Sequence, residues 1–322
     1  MSAVDVPLSL EEIEGHRKEL TGYCYRMLGS SFEAEDAVQE AIVRAWKAMD
    51  RFEGRSTVRS WLYRIATNVC LDALEGRQKR ARPIDLGPAS RADGQVEPPT
   101  SEADWVGPMP DARIGDPAEV AASRESIRLA FVAALQHLPA RQRAVLVLRE
   151  VLRWQATEVA ELLDTTVASV NSALQRARAT LESVAATADT TSSSTTEEHA
   201  EMLDRYVDAF ERYDVAELVS LLKDDVEFSM PPFPMWLNSS EDVGRWFAGP
   251  GAGCEGSRIL RTMANGVPAL AQYRVDPEGG WAPWSIQVLT TSGGEITSIV
   301  NFLDMHDRSL FAEFDLPVHL DA

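Results

Sequence analysis

At about 100° per residue, the stretch from Ser60 to Glu75 gathers Leu62, Ile65, Ala66, Val69, Cys70 and Ala73 onto one arc, which predicts an amphipathic helix. Trp61, Arg64 and Asn68 share another arc. A solvated helix face normally carries Lys and Glu. An aromatic ring, a guanidinium and an amide at i, i+3 and i+7 are the set that stacks on a base, holds a phosphate and hydrogen-bonds a base edge. The same arc also arises if the Trp61 ring packs on a neighbouring helix, and periodicity does not separate the two. Upstream, the helix predicted from Glu33 to Met49 has Val38, Ile42, Ala45, Trp46 and Met49 on its core arc and Asp36, Gln39, Glu40 and Val43 on an exposed one. An acidic, amide-bearing patch with one apolar residue suits a basic coiled-coil partner. An ordinary solvated face explains Asp36 and Glu40 but not an outward Val43.

From Leu138-Pro139 the pattern gives a Pro-started helix (Ala144, Val145, Leu148, Val151), a short helix from Glu158 to Leu163, the corner Asp164-Thr165-Thr166, and a helix from Val167. Asp164 takes the corner position that wants φ > 0, and Thr165 or Thr166 caps the helix from Val167. In that last helix Val167, Val170, Leu174 and Ala177 are expected inward, so Ser169, Asn171, Ser172, Gln175 and Arg176 point out. Short polar chains, an amide pair and an arginine are base-reading groups rather than a generic Lys/Glu surface. A helical hairpin used only for packing is the plainer alternative.

After residue 197 the period changes. An amphipathic helix (Met202, Leu203, Tyr206, Ala209, Phe210) and a short one (Ala216 to Leu222) precede strand-like runs at Val226–Met230, Arg258–Ala264, Pro268–Val275, Trp284–Thr291 and Glu295–Leu303. Gly279-Gly280 and Gly293-Gly294 punctuate them as turns, and the pattern is α+β. Two stretches carry no period: residues 83–122, rich in Pro, Asp and Gly and containing Trp105, and the Thr/Ser run from Thr187 to Thr196. Both read as linkers, although Trp105 is unusual in one and is expected to dock onto a folded domain.

Composition narrows the function. The 322 residues leave room for two or three cores, and no cationic start with an apolar segment and no long apolar run points to secretion or a membrane. Three cysteines, Cys24, Cys70 and Cys254, offer neither a disulfide framework nor zinc spacing, which fits the reducing cytoplasm. No metal or cofactor is expected. The net charge of −19 is the wrong sign for a protein that grips DNA unaided. Residues 1–196 carry 23 Lys+Arg against 28 Asp+Glu, a balance of −5, and residues 197–322 carry 8 against 22, a balance of −14. The DNA-reading half is therefore nearly neutral, and a partner must supply the missing positive surface.

These segments occur in a recognisable order. Ala34-Glu35-Asp36-Ala37-Val38-Gln39-Glu40-Ala41, then Arg51-Phe52-Glu53-Gly54-Arg55-Ser56-Thr57 with Trp61-Leu62-Tyr63-Arg64-Ile65-Ala66-Thr67-Asn68, then Leu138-Pro139-Ala140-Arg141-Gln142-Arg143 through Arg178, resemble a group 4 (extracytoplasmic-function) sigma factor of bacterial RNA polymerase. The resemblance covers roughly 13–82 and 123–181. It implies that Asp36, Gln39, Glu40 and Val43 meet the polymerase clamp helices and that region 4 meets the flap. It further implies that Asn68 and the Phe52–Thr57 loop form a pocket for a base flipped from the −10 element, with Arg59, Trp61 and Arg64 near the single strand. Ser169, Asn171, Ser172, Gln175 and Arg176 would then read the −35 element. In the family the stretch between the two regions threads toward the RNA exit path.

Tyr206-Val207-Asp208-Ala209-Phe210, Leu221 to Val226 and Pro231-Pro232-Phe233-Pro234-Met235-Trp236-Leu237 resemble a SnoaL-like domain of the NTF2 cone fold. The whole chain is similar to an actinobacterial subgroup of these sigma factors that carry such an extension. The expected architecture is multidomain: two all-α sigma domains, at 10–82 (region 2) and 123–184 (region 4 helix-turn-helix), then an α+β cone at 197–322, joined by linkers at 83–122 and 185–196. Expected partners are polymerase core, promoter DNA and, as an open question, a small-molecule ligand of the last domain in a pocket that includes Trp236, Tyr273 and Trp284. Asp276, Asp304 and His306 are its other candidates for pocket chemistry, and they form no convincing catalytic dyad, so the domain is read as regulatory. The alternatives are a helix-turn-helix regulator working without polymerase and an enzyme with an accessory DNA-binding half.

Overall fold

The computed structural model describes residues 8–77, 79–94, 96–114, 126–185, 196–305 and 309–321. They fall into two compact units, Met1–Arg80 with Asp111–Asp189, and Ala81–Pro110 with Thr190–Ala322.

The first unit is helical: α1 (Leu10–Glu14), α2 (Arg17–Leu28), α3 (Ser31–Ala48), α4 (Val58–Leu74), α5 (Leu129–Gln136), α6 (Ala140–Leu146), α7 (Ala156–Leu162) and α8 (Val167–Ala185). Gly29, with φ of 75°, closes α2 by returning its N–H to the Tyr25 carbonyl at 2.7 Å, and Ser30 then caps α3. Thr57 caps α4 by accepting the Ser60 N–H at 3.1 Å. Small residues of α3 (Ala34, Ala37, Ala41, Ala45) bring α2 and α4 close, and Tyr23 and Tyr63 meet edge to face at 5.2 Å. Trp46, expected on that core arc, is instead 55 % exposed. The buried arc is centred on the alanines, and Trp46 lies past its edge. α6 runs into a single π turn, Val147–Val151, before the corner to α7.

In the second unit six strands, β1 (Leu222–Ser229), β2 (Trp236–Leu237), β3 (Arg258–Ala264), β4 (Val267–Val275), β5 (Trp281–Ser292) and β6 (Glu295–Leu303), make one sheet in the order β2-β1-β6-β5-β4-β3. Among these strands only β1 and β6 run parallel. Register shifts at Gln272/Tyr273 and Thr290/Thr291 mark the irregularities that bend such sheets. Helices α9 (Thr196–Glu211), α10 (Val215–Ser220) and α11 (Ser240–Ala248) contribute Tyr206, Phe210, Leu218, Val243 and Phe247 to a core with Phe228, Leu270, Leu289 and Ile299 of the sheet. A last helix, α12 (Leu310–Glu313), places Phe311 on Tyr273 at 4.9 Å.

The first part of the stretch expected as a linker is built into this unit. Ala92 belongs to its core, Ser90 donates its N–H to the Trp236 carbonyl at 2.7 Å, and Thr100 does the same to Pro232 at 2.9 Å. Met109 and Asn265 exchange two hydrogen bonds of 3.0 Å, and Trp105 and Met109 are buried. Residues 115–122 of that stretch, residues 186–195 of the Thr/Ser run, and His306 lie outside the described residues. Among the described residues no helix is long and apolar enough to cross a membrane.

Candidate nucleic-acid interface

On the expected α4 face Trp61 and Arg64 are already engaged, and Asn68 is open. Trp61 is half-buried with its ring 5.0 Å from that of Phe52, so the 52–57 loop is tied to the helix. Arg59 donates Nε to Glu19 Oε2 at 2.8 Å, and its guanidinium lies 5.1 Å from the Tyr63 ring centre and 5.4 Å from that of Trp154. Arg64 donates Nη2 to the carbonyl of Glu161, in α7, at 2.8 Å. Asn68 is exposed and lines a groove of about 400 Å³ with Leu71, Asp72, Leu74 and Glu75 of α4 and Ala140 and Arg141 of α6.

In the helix-turn-helix Asp164 takes φ of 50°, the strained corner that a small acidic side chain tolerates. Thr166 caps α8 by accepting the Ser169 N–H at 3.1 Å. Ser169, Asn171, Gln175 and Arg176 are exposed, and Ser172 is half-buried with its hydroxyl accepting from Arg176 Nη1 at 2.6 Å. Val167 does not point inward as its period implies. It is 38 % exposed, because the apolar stripe that buries Val170, Leu174 and Ala177 runs on past the end of its cover.

Two buried arginines join the helices of this unit through neutral oxygens. Arg143 donates to the backbone of Met27, to Gln136 Oε1 at 2.6 Å and to the Leu138 carbonyl at 3.1 Å. Arg26 reaches the Gly22 carbonyl at 2.7 Å and Ser126 Oγ at 2.9 Å. Burial pushes both guanidinium groups down to about 10. On α3, Asp36, Gln39 and Glu40 are exposed and Val43 is half-buried. Gln39 accepts from Arg17 at 3.0 Å, Glu40 pairs with Arg44 at 2.8 Å, and exposed Trp46 extends the same surface.

The three aromatics expected to line one pocket each have a partner of their own. Trp236, on the edge strand β2, donates Nε1 to the Gly87 carbonyl at 3.0 Å. Tyr273 donates its hydroxyl to the Pro317 carbonyl at 2.8 Å, and Trp284 lies under the Arg274 guanidinium at 4.2 Å. Tyr273 and Trp284 lie on the paired strands β4 and β5, and Trp236 lies on the edge strand β2. Asp304 accepts the Leu310 N–H at 2.8 Å and Ser309 Oγ at 3.1 Å, capping α12. The helix-covered face of the sheet instead holds a polar chain that sequence reasoning missed. Tyr206 donates to Gln287 Oε1 at 3.0 Å, Gln287 Nε2 to Gln272 Oε1 at 2.9 Å, and Gln272 Nε2 to Ser257 Oγ at 3.0 Å, with Ser285 joining Gln272 at 3.1 Å. All five are buried. Its signal in the sequence is the placement of Gln272 and Gln287 two residues from the core positions Leu270 and Leu289, on the same face of each strand. Among the described residues no group of three His, Cys, Asp or Glu is placed to hold a metal ion.

The helical unit carries a helix-turn-helix whose second helix has an exposed polar face, and the other unit is an α+β fold on one mixed sheet. Residues 13–80 match the family Sigma-70 region 2, residues 128–181 match Sigma-70 region 4, and residues 203–299 match the SnoaL-like domain. The ECF RNA polymerase sigma factor SigG of Mycobacterium tuberculosis is 42 % identical over 310 residues, which span 94 % of this chain and 82 % of that protein. SigW of Bacillus subtilis, also an ECF RNA polymerase sigma factor, is 28 % identical over 52 % of this chain and 84 % of its own length. The crystal structure of the Mycobacterium tuberculosis extracytoplasmic function sigma factor SigJ superposes with a TM-score of 0.59 at 25 % identity, covering 96 % of this chain and all of that one. The chain belongs to the ECF RNA polymerase sigma factors, and as such directs transcription initiation with the polymerase core.

Proposed function

We propose that α4 and the loop before it open the −10 element, that α8 reads the −35 element, and that the α3 surface of Asp36, Gln39, Glu40, Val43 and Trp46 docks on the core. We propose further that the SnoaL-like unit controls promoter use without catalysing a reaction. The observation that carries the regulatory part is the placement of Ala81–Pro110. This segment joins the two promoter-reading regions in the chain, yet Ala92, Trp105 and Met109 are buried as parts of the second unit. If the segment threads into polymerase as in the family, it has to leave that place, so holding it and engaging core are alternatives. A ligand acts on such an equilibrium only through different affinities for the two states. The interior of the cone supports a non-catalytic reading, since its buried hydroxyl and amide groups hydrogen-bond one another.

Transcription in vitro with purified core tests this. Asn265→Gly keeps the turn, where φ is 56°, and removes the side-chain oxygen that accepts the Met109 N–H. Combined with Trp236→Ala, which takes away the Gly87 bond, it should raise both proteolysis within 81–110 and promoter output several-fold. Faster proteolysis with unchanged transcription defeats the regulatory reading. A chain cut near Thr190 is a poorer comparator, because it also uncovers Ala92, Trp105 and Met109.

A further inference from the structure

We propose that Val167 is a specificity-determining residue that reads the C5 methyl group of a thymine in the −35 element. The proposal rests on α8 being the −35 helix and names the chemistry at its tip. A helix-turn-helix presents the first residues of its second helix to base edges in the major groove. Val167 is the first residue of α8 and keeps 38 % of its surface in water, while Val170, Leu174 and Ala177 of the same stripe are buried. It is the uncovered end of that stripe. A β-branched side chain is a poor helix former, and more than a third of this residue stays uncovered.

The hydroxyl next to it, on Thr166, is committed. Thr166 Oγ1 accepts the Ser169 N–H at 3.1 Å and donates to Ser169 Oγ at 3.0 Å. Ser172 Oγ accepts from Arg176 at 2.6 Å. Thr166 can donate to a base edge only by giving up its bond to Ser169, whereas Ser169 and Ser172 accept in these bonds and keep a hydroxyl proton for hydrogen bonding beside the methyl contact. The methyl groups of Val167 and exposed Ala168 give up nothing when they leave water. In the major groove only thymine offers a methyl group, so an apolar contact there separates T·A from the other three pairs. Asn171, Gln175 and Arg176, about one to two and a half turns further on, then read the adjoining pairs by hydrogen bonds.

The test uses full-length chain assembled with core polymerase. Promoters are first selected from a library randomised in the −35 element, and each −35 thymine is then replaced singly by deoxyuridine, which removes the methyl group and leaves base pairing intact. Wild-type holoenzyme should bind about fourfold more weakly at one or two adjacent positions, the effect of one buried methyl group. Val167→Ala should bind thymine and uracil there equally, and isosteric Val167→Thr, which keeps one methyl group, should fall between. Selection of a −35 consensus with no methyl-sensitive thymine overturns the proposal while leaving α8 as the −35 reader. A thymine preference of unchanged size in Val167→Ala overturns it too. Failure to enrich any −35 sequence removes both.

Discussion

Arg64 Nη2 donates to the backbone carbonyl of Glu161 at 2.8 Å, so a guanidinium proposed to lie beside the melted −10 strand is held in the free chain by the helix-turn-helix. Arg59 is held in the same way, against Trp154 at 5.4 Å, and Trp154 is almost fully buried. This packing and single-strand binding compete for the same two side chains. Trp154→Ala should therefore raise the affinity of free chain for a single-stranded −10 oligonucleotide several-fold, at a stability cost of about 3–5 kcal/mol. Fluorescence anisotropy with the labelled strand, at a temperature where circular dichroism shows the variant folded, checks it. Unchanged affinity would mean that α4 is not limited by α7 and Trp154.

In α8, Arg176 has its guanidinium steadied by Ser172 at 2.6 Å. If it makes a bidentate base contact, Arg176→Ala should weaken holoenzyme binding by about 1–3 kcal/mol and relax preference at one −35 position. Ser172→Ala should cost less and leave the preferred base unchanged, because the arginine remains. Gel shifts against single base-pair variants separate this from a phosphate contact, which would weaken all sequences alike.

Asn68 stands exposed in its groove, where no described part of the chain closes over it. A pocket for a flipped base acts only after the duplex distorts, and unstacking costs a few kcal/mol. Asn68→Ala should then leave closed-complex affinity near that of the wild type and lower the permanganate reactivity of −10 thymines. Normal reactivity in the variant moves the pocket elsewhere.

The helix-turn-helix is legible in the sequence because two independent signals agree at one place: a 3.6-residue apolar period in α8 and a short acidic residue, Asp164, where the backbone turns left-handed. Trp46 and Val167 depart from their expected places for one shared reason. A period says which side chains share an arc, but the width of that arc depends on the elements that cover it, and both residues lie past the edge of their cover. The 83–122 stretch reads as a linker because Pro, Gly and Asp exclude regular elements. They do not exclude packing, and Ser90, Thr100 and Met109 find backbone or side-chain partners one bond at a time. The polar chain in the cone escapes a sequence pattern because a lone Gln in a strand ordinarily marks its outer face. Only strand pairing brings Gln272 and Gln287 together.

Glu227 gives a pH signature for the held segment. It sits half-buried on β1 near Arg82 and Asp85, and desolvation pushes its carboxyl above the usual range, with Arg82 opposing and Asp85 and Asp225 adding to the rise. With the folded value above the unfolded one, the native state binds more protons between the two, so stability falls as pH rises through that window. Glu227→Gln keeps the side chain neutral at all pH. It should raise the unfolding midpoint of the second unit at pH 7.5 and change it little at pH 4, so that the difference between variant and wild type grows with pH. Calorimetry of the full chain at the two pH values measures this. A difference of equal size at both would mean that the substitution acts through packing and that the charge of Glu227 does not strain the contact with 82–85.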